Sequence, residues 1–251
     1  MSRFCRGELV VASGEFGRQL PVVVAITGAS GSVYALRLLE LLLFSGRTVE
    51  LVISGAARQV FLQELELSLV GNPTTESIHA ALASTIHAPG NVWNFRAVQD
   101  AASVAGQSNN QGRIRSWGLN DYNAGIASGS FLTAGMVICP CSMGTLSSIA
   151  TGASMNLIHR AADVHLKERR PLLLMPRETP LSVIQLANMT TVTQAGATVL
   201  PAMPGFYHRP SSLGDVVDFV VARILDHVKI PHPLGRRWGN DENRTDTESQ
   251  S

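Results

Sequence analysis

The sequence predicts one α/β domain on a mostly parallel sheet, and three observations carry that expectation. β-branched runs alternate with helical stretches, the first run ends in a glycine turn, and 251 residues with 45% hydrophobic side chains suffice for one substantial core. Pro21 to Thr27 (PVVVAIT) reads as a strand, Gly28 to Gly31 (GASG) as the turn, and the leucine-rich stretch to Phe44 as a helix. Val49 to Ile53 supplies a second strand ending at Ser54, and Ala56 to Leu65 the next helix, so the chain opens in a βαβα order suited to parallel pairing. From Gly71 to Gly112 the periodicity fades, and a Ser108, Asn109, Asn110, Gln111 tract marks this stretch as a partly disordered insertion. Order returns with a third strand at Gly135 to Cys139, a helix of small residues after Thr145, and a fourth strand at Leu172 to Met175. A helix over Pro180 to Ala195 then precedes a fifth strand at Thr198 to Leu200. The last helix, Leu213 to Val228, places Leu213, Val216, Val217, Val220, Ile224 and Leu225 on one face. Residues 1–20 read as a loose extension, 21–230 as the domain, and 231–251 as a polar tail.

Composition narrows the function classes. A formal net charge of +1 with 16% charged residues leaves no broad basic field for nucleic acid or an acidic membrane. No apolar run reaches the roughly 18–20 residues of a spanning helix. Three cysteines, Cys5, Cys139 and Cys141, are odd in number, which points to reduced thiols and a cytoplasmic setting. Cys139 and Cys141 lack a matching second pair and the histidines show no ligand spacing, so no metal is expected.

A glycine turn between strand and helix gathers backbone amides at the helix's positive end, which suits phosphate. GASG is neither the dinucleotide fingerprint nor a P-loop, and many tight turns look like it. Ser142 to Thr145 forms a second polar strand end that would lie beside the first, although simple helix capping explains it as well. Arg223 follows Val216 by seven residues and returns close to the apolar stripe, as a snorkelling stem, a structural ion pair or an anion ligand. Arg160, Lys167, Arg169, Arg170 and Arg177 cluster around the fourth strand, where a solvated face accounts for most. Arg177 directly follows that strand and Pro176, so it can face a ligand. Glu64 on spacing alone reads as a surface carboxylate.

Taken together, GASG at Gly28, VIS ending at Ser54, CPCSMGT from Cys139, RAADVHLKERRPLLLMPRETP from Arg160 and PGFYHRP from Pro204 resemble the UbiX-type flavin prenyltransferases. The resemblance spans Pro21 to Ile230 apart from the insertion. It implies a Rossmann/flavodoxin-like three-layer fold, assembly as a homododecamer, and FMN bound between neighbouring subunits. The implied reaction joins a dimethylallyl group from dimethylallyl phosphate to reduced FMN at N5 and then C6, for use by a UbiD-type decarboxylase. By matching position, Gly28, Ala29, Ser30, Ser54, Ser142, Met143, Gly144, Thr145 and Arg177 are the implied FMN contacts. Lys167, Tyr207 and Arg223 are the implied prenyl-phosphate cradle, with Arg160 beside it. Ser30, Glu64 and Glu178 are the implied polar groups of proton movement, and Tyr122 stands where some relatives carry tryptophan against the prenyl group. Gly55, Met143 and His159 depart from the family's frequent residues without removing a matched functional position. A flavoprotein cysteine decarboxylase or a non-catalytic flavin-binding subunit would share the fold and the flavin site.

Overall fold

A computed structural model describes residues 19–95 and 112–234. β1 (Val22–Ile26), β2 (Thr48–Ile53), β3 (Arg113–Trp117), β4 (Gly135–Cys141), β5 (Leu172–Pro176) and β6 (Thr198–Val199) form one sheet in the order β3-β2-β1-β4-β5-β6. Every neighbouring pair is parallel. Alternation along β1 explains the two layers of core. Val22, Val24 and Ile26 pack on one face and Val23 and Ala25 on the other, so the strand is apolar on both sides as a central parallel strand must be.

On the first face lie α1 (Ser32–Phe44), α2 (Gly55–Leu65), α3 (Thr75–Ser84) and α7 (Leu213–His227); on the second lie α4 (Met143–Ala150), α5 (Leu157–Lys167) and α6 (Val183–Gln194). The leucine density of α1 reflects this position, since Leu36, Leu38, Leu39 and Leu42 are completely buried. Each such side chain contributes about 1.5–3 kcal/mol of burial. Arg37 on the same helix is 1% exposed, and its guanidinium meets Asp218 of α7 at 2.7 Å and Glu40 at 2.8 Å beneath the Phe95 ring. A buried cation persists there because its donors are satisfied by two carboxylates.

Two elements lie where no period was read in the sequence. The Gly71 to Gly112 stretch contains an ordered helix, α3, whose Thr74 and Ser77 form a capping box and whose Ile78, Ala81 and Leu82 are buried. Beyond it, β3 is an additional edge strand, in which only Ile114 is buried and Arg113 and Arg115 face out. Half of such a strand is polar and the helix is short, so neither imposes a strong period on the sequence. The Ser108 to Gln111 tract, residues 1–18 and residues 235–251 lie outside the described residues. No helix among the described residues is long and apolar enough to cross a membrane.

Candidate active site

Parallel strands bring all their C-terminal ends to one rim, here termed the upper rim. Between β1 and β4 the chain order reverses, and the crevice at such a switch point is where open α/β sheets hold ligands. Gly28 to Ser30 follow β1, Ser54 follows β2, Ser142 follows β4 and Arg177 follows β5, so four neighbouring strand ends deliver the sequence-predicted residues to one crevice.

Backbone stitching explains how the crevice keeps its shape. The Thr27 hydroxyl donates to the Pro140 carbonyl at 3.0 Å and accepts from the Ser142 amide at 2.7 Å, tying the end of β1 to the end of β4. Thr27 was absent from the sequence-based site, although its place directly before GASG is the available signal. Gly28 is required by a close approach, because a Cβ there would lie 2.5 Å from the Ala56 Cβ on α2. The Arg177 Nε donates to the Ser30 carbonyl at 3.4 Å and so spans from β5 to the turn after β1.

Glu64 is not a free surface carboxylate. It reaches across from α2 and accepts from the Gly31 amide at 3.0 Å and the Ser32 amide at 2.8 Å, capping the N-terminus of α1. Burial alone would raise its pKa, but hydrogen bonds from the Ser30 hydroxyl and from the Ser32 and Gly31 amides outweigh that and hold it below the usual carboxylate value. The Gly28 to Gly31 turn therefore stands beside a carboxylate at the N-terminus of α1. The helix end that would attract a phosphate already carries an anion. The ends of α2 and α4 are different. Ser54 accepts from the Ala57 amide at 3.1 Å and Ser142 from the Thr145 amide at 3.3 Å, so both serines are N-caps. A Cβ placed at Gly55 or Gly144 would meet nothing within 4 Å, so the first turns of both helices are uncrowded at these exposed positions. Met143, the first residue of α4, is half-buried. Glu178 is exposed and accepts from the Thr179 amide at 3.0 Å.

The implied phosphate-binding cations are distributed elsewhere. Tyr207 stands edge-on to Phe219 of α7, with ring centroids 5.6 Å apart, and Arg223 lies one turn further along that helix. These two residues therefore share one patch. Arg223 is not on the buried stripe as expected: its side chain is 54% exposed and pairs with Asp226 at 3.4 Å. Val216, the position it repeats, is itself only half-buried, and Leu213 is 52% exposed, so this flank is the margin of the apolar face. Lys167 ends α5, which runs down from the upper rim, and it pairs with Glu168 against Gly129. Since α5 and α7 cover opposite faces, the whole sheet separates Lys167 from Arg223 within one copy. Arg160 braces a loop: its Nε donates to the Ala127 carbonyl at 3.0 Å and its Nη1 to Asp163 at 3.0 Å. Tyr122 is half-exposed on the loop that follows β3.

Below that loop, His165 is 1% exposed; its Nδ1 meets the Ala161 carbonyl at 2.7 Å and its Nε2 the Thr133 hydroxyl at 2.8 Å. Burial pushes its pKa down to about 4, so the ring is neutral, donating through Nδ1 and accepting through Nε2. Cys139 and Cys141 are buried free thiols whose pKa burial raises. Among the described residues no group of three His, Cys, Asp or Glu side chains could hold a metal.

The fold and crevice define a doubly wound α/β domain whose ligand site lies at the strand-order reversal, the arrangement of nucleotide- and flavin-binding proteins. Comparison with known proteins agrees. The flavoprotein family pattern matches residues 12–225. The chain is 48% identical over 218 residues to the flavin prenyltransferase UbiX of Pseudomonas aeruginosa, covering 87% of this chain and 93% of the relative. It is 44% identical over 218 residues to the flavin prenyltransferase UbiX of Halalkalibacterium halodurans, covering 87% and 93%. Among solved structures, AnUbiX (PadA1) in complex with FMN and dimethylallyl pyrophosphate aligns with a TM-score of 0.70 at 33% identity, covering 88% of this chain and 98% of that one. A dodecameric FMN-dependent UbiX-like decarboxylase from Escherichia coli O157:H7 aligns with a TM-score of 0.68 at 35% identity, covering 87% and 99%. The chain belongs to the flavoprotein family and, within it, to the UbiX-type flavin prenyltransferases.

Proposed function

We propose that this protein joins the dimethylallyl group of dimethylallyl phosphate to reduced FMN, releases phosphate, and supplies prenylated FMN to a UbiD-type decarboxylase. The observation that carries this reading is the convergence of Gly28 to Ser30, Ser54, Ser142 to Thr145 and Arg177 on one crevice, in a chain 48% identical to a flavin prenyltransferase. Reduced FMN, when bound, supplies the nucleophilic N5 and then C6 that accept the prenyl carbons.

The residues of this chain do the remaining work. Ser54, Gly55 and the Ser142 to Thr145 turn receive the flavin and its phosphate, because the first turns of α2 and α4 are uncrowded while Glu64 occupies the end of α1. Glu64, kept ionised by its hydrogen bonds, takes up the proton displaced as the carbon–nitrogen bond forms, with the Ser30 hydroxyl as relay. Glu178 is a second, exposed carboxylate at the same rim that would share in proton movement. Arg223 and Lys167 neutralise the departing phosphate and the Tyr207 hydroxyl donates a hydrogen bond to it, once assembly brings the three together. Tyr122 offers a π face to the cationic prenyl fragment. Opposite placement of Lys167 and Arg223 within one copy supports a cradle assembled between copies, as in a homododecamer with FMN between neighbouring subunits. Buried free thiols suit a reducing, cytoplasmic setting.

Mass spectrometry of the flavin extracted after anaerobic incubation with reduced FMN and dimethylallyl phosphate tests the reading. A flavin heavier by one prenyl unit is the expected product. Recovery of unmodified FMN alone from folded, flavin-loaded protein would overturn it.

A further inference from the structure

We propose that Arg170, which the reaction above does not use, is a positioning residue for dimethylallyl phosphate: it clamps the turn around Gly129 and so fixes the wall on which the Lys167 ammonium rests. The proposal rests on the reading of Lys167 as a phosphate ligand and deepens it by naming what holds that lysine in place.

Arg170 owes its direction to the way α5 ends. The Arg170 amide donates to the His165 carbonyl at 2.8 Å and the Arg169 amide to the Leu166 carbonyl at 3.1 Å, with Arg169 left-handed at φ 55°. These are the paired bonds of a Schellman turn, which closes a helix by satisfying its last carbonyls. Lys167 therefore ends the helix, Arg170 follows the turn, and both side chains reach the same loop. That loop, Ala127 to Thr133, is fastened at every second residue. The Ala127 carbonyl accepts from Arg160 Nε at 3.0 Å, the Gly129 carbonyl from Arg170 Nη2, and the Phe131 carbonyl from Arg170 Nη1 at 2.7 Å. The Thr133 hydroxyl donates to His165 Nε2 at 2.8 Å. Ser128, Ser130 and Leu132, between these points, are exposed. One planar guanidinium thus holds two carbonyls two residues apart, with a fork that a lysine ammonium does not reproduce.

Gly129 is the point at which the clamp meets the lysine. A Cβ there would overlap the Glu168 carboxylate and lie 3.0 Å from Lys167 Nζ, so the Lys167–Glu168 pair rests against bare backbone. The Lys167 side chain is 47% exposed, and a flexible four-carbon stem costs rotamer entropy to hold in one place. A half-exposed ammonium keeps its place only where its backing is fixed. Arg170 fixes that backing from the other side of Gly129, through the carbonyl, while leaving the face toward Lys167 uncovered. The solvated face that accounts for cations near β5 therefore does not account for Arg170, which is half-buried with two backbone acceptors.

Calorimetry with dimethylallyl phosphate on the full chain loaded with oxidised FMN tests the clamp, since only reduced FMN offers the nucleophilic N5 and binding is then read without reaction. Arg170→Lys is expected to weaken this binding roughly ten- to a hundredfold, the scale on which a small misplacement acts, with FMN affinity at the parent value. In a Lys167→Gln background the same change should cost no more than about twofold, because the residue it acts through is gone. The full loss in both backgrounds marks a structural role alone and overturns the proposal, as does parent-like binding by Arg170→Lys. Should Arg170→Lys not fold, Gly129→Ala decides, because its Cβ meets only the far ends of two flexible side chains. Moving Lys167 in this way must weaken dimethylallyl phosphate binding, and unchanged binding overturns the proposal. A parent that does not bind dimethylallyl phosphate sinks the function proposed above and this inference together. A parent that binds it and prenylates reduced FMN, with Arg170→Lys its equal, sinks this inference alone.

Discussion

The upper rim of the sheet and the patch formed by Tyr207 and by Arg223 of α7 are held by opposite means. At the rim, polar groups are bonded to one another before any ligand arrives: Glu64 to the amides of α1, Thr27 to Pro140 and Ser142, Arg177 to Ser30. On α7, Arg223 is more than half exposed with one carboxylate at 3.4 Å, and Tyr207 leans on Phe219 with most of its surface uncovered. The difference separates two jobs. On the function proposed above, a crevice that must orient a flat ring benefits from rigid, satisfied backbone, whereas a cradle completed by another copy would keep its charges outside until assembly desolvates them.

Replacing the exposed half gives the largest expected effect. Arg223→Ala and Tyr207→Phe should each slow prenyl transfer roughly ten- to a hundredfold, since loss of a charge-assisted phosphate contact costs about 1.5–3 kcal/mol. FMN affinity and melting temperature should hardly change, because Tyr207→Phe keeps the ring against Phe219 and an exposed ion pair such as Arg223–Asp226 contributes little. Parent-like turnover in both variants breaks the proposed division. Gly28→Ala probes the rigid half: the new Cβ would lie 2.5 Å from the Ala56 Cβ, and forcing α2 aside should cost roughly 1–3 kcal/mol in urea unfolding together with weaker FMN binding.

A third test concerns His165, which anchors the end of α5 two residues before exposed Lys167. Its folded pKa of about 4 lies below the ordinary histidine value of 6.5, so between these values the unfolded chain binds more protons and stability rises with pH. The contribution is complete above about pH 6.5 and is lost as the pH falls toward 4, up to roughly 3 kcal/mol in all. Urea midpoints at pH 5 and pH 7 should differ less in His165→Gln than in the parent; equal differences would remove the argument. The smallest effect on stability belongs to Glu64→Gln. Its depressed pKa means that the carboxylate's contribution is present above the ordinary carboxylate range and disappears as the pH falls through its folded value. Glu64 is partly exposed, so solvent screening limits the stability change at pH 7 to about 1 kcal/mol. Product formation should fall much further than stability, and a parent-like rate would separate Glu64 from proton transfer.

Legibility differed by element for physical reasons. β1, β2, β4 and β5 were visible because central parallel strands are apolar on both faces, as VVVAI and LLLMP show. β3 and α3 were hidden, since an edge strand with two outward arginines and a short helix bury too little to leave a period. Among site residues, Gly28, Ser54, Ser142 and Arg177 announced themselves by standing directly after strands. Glu64 did not, because its partners Gly31 and Ser32 are more than thirty positions away along the chain. The burial of Arg223 was overestimated because helical spacing locates an angle on the helix and says nothing of where the apolar stripe ends.

Sequence by itself therefore determined the alternation of strands and helices, the positions of the strand-end turns and the family to which the chain belongs. These depend on local period and on residue types at fixed offsets. Tertiary structure decided that Glu64 caps α1, that Ser54 and Ser142 cap α2 and α4, and that Lys167 and Arg223 stand on opposite faces of one sheet. Each of those outcomes depends on which distant segments the topology brings within hydrogen-bonding distance, and no local pattern encodes that.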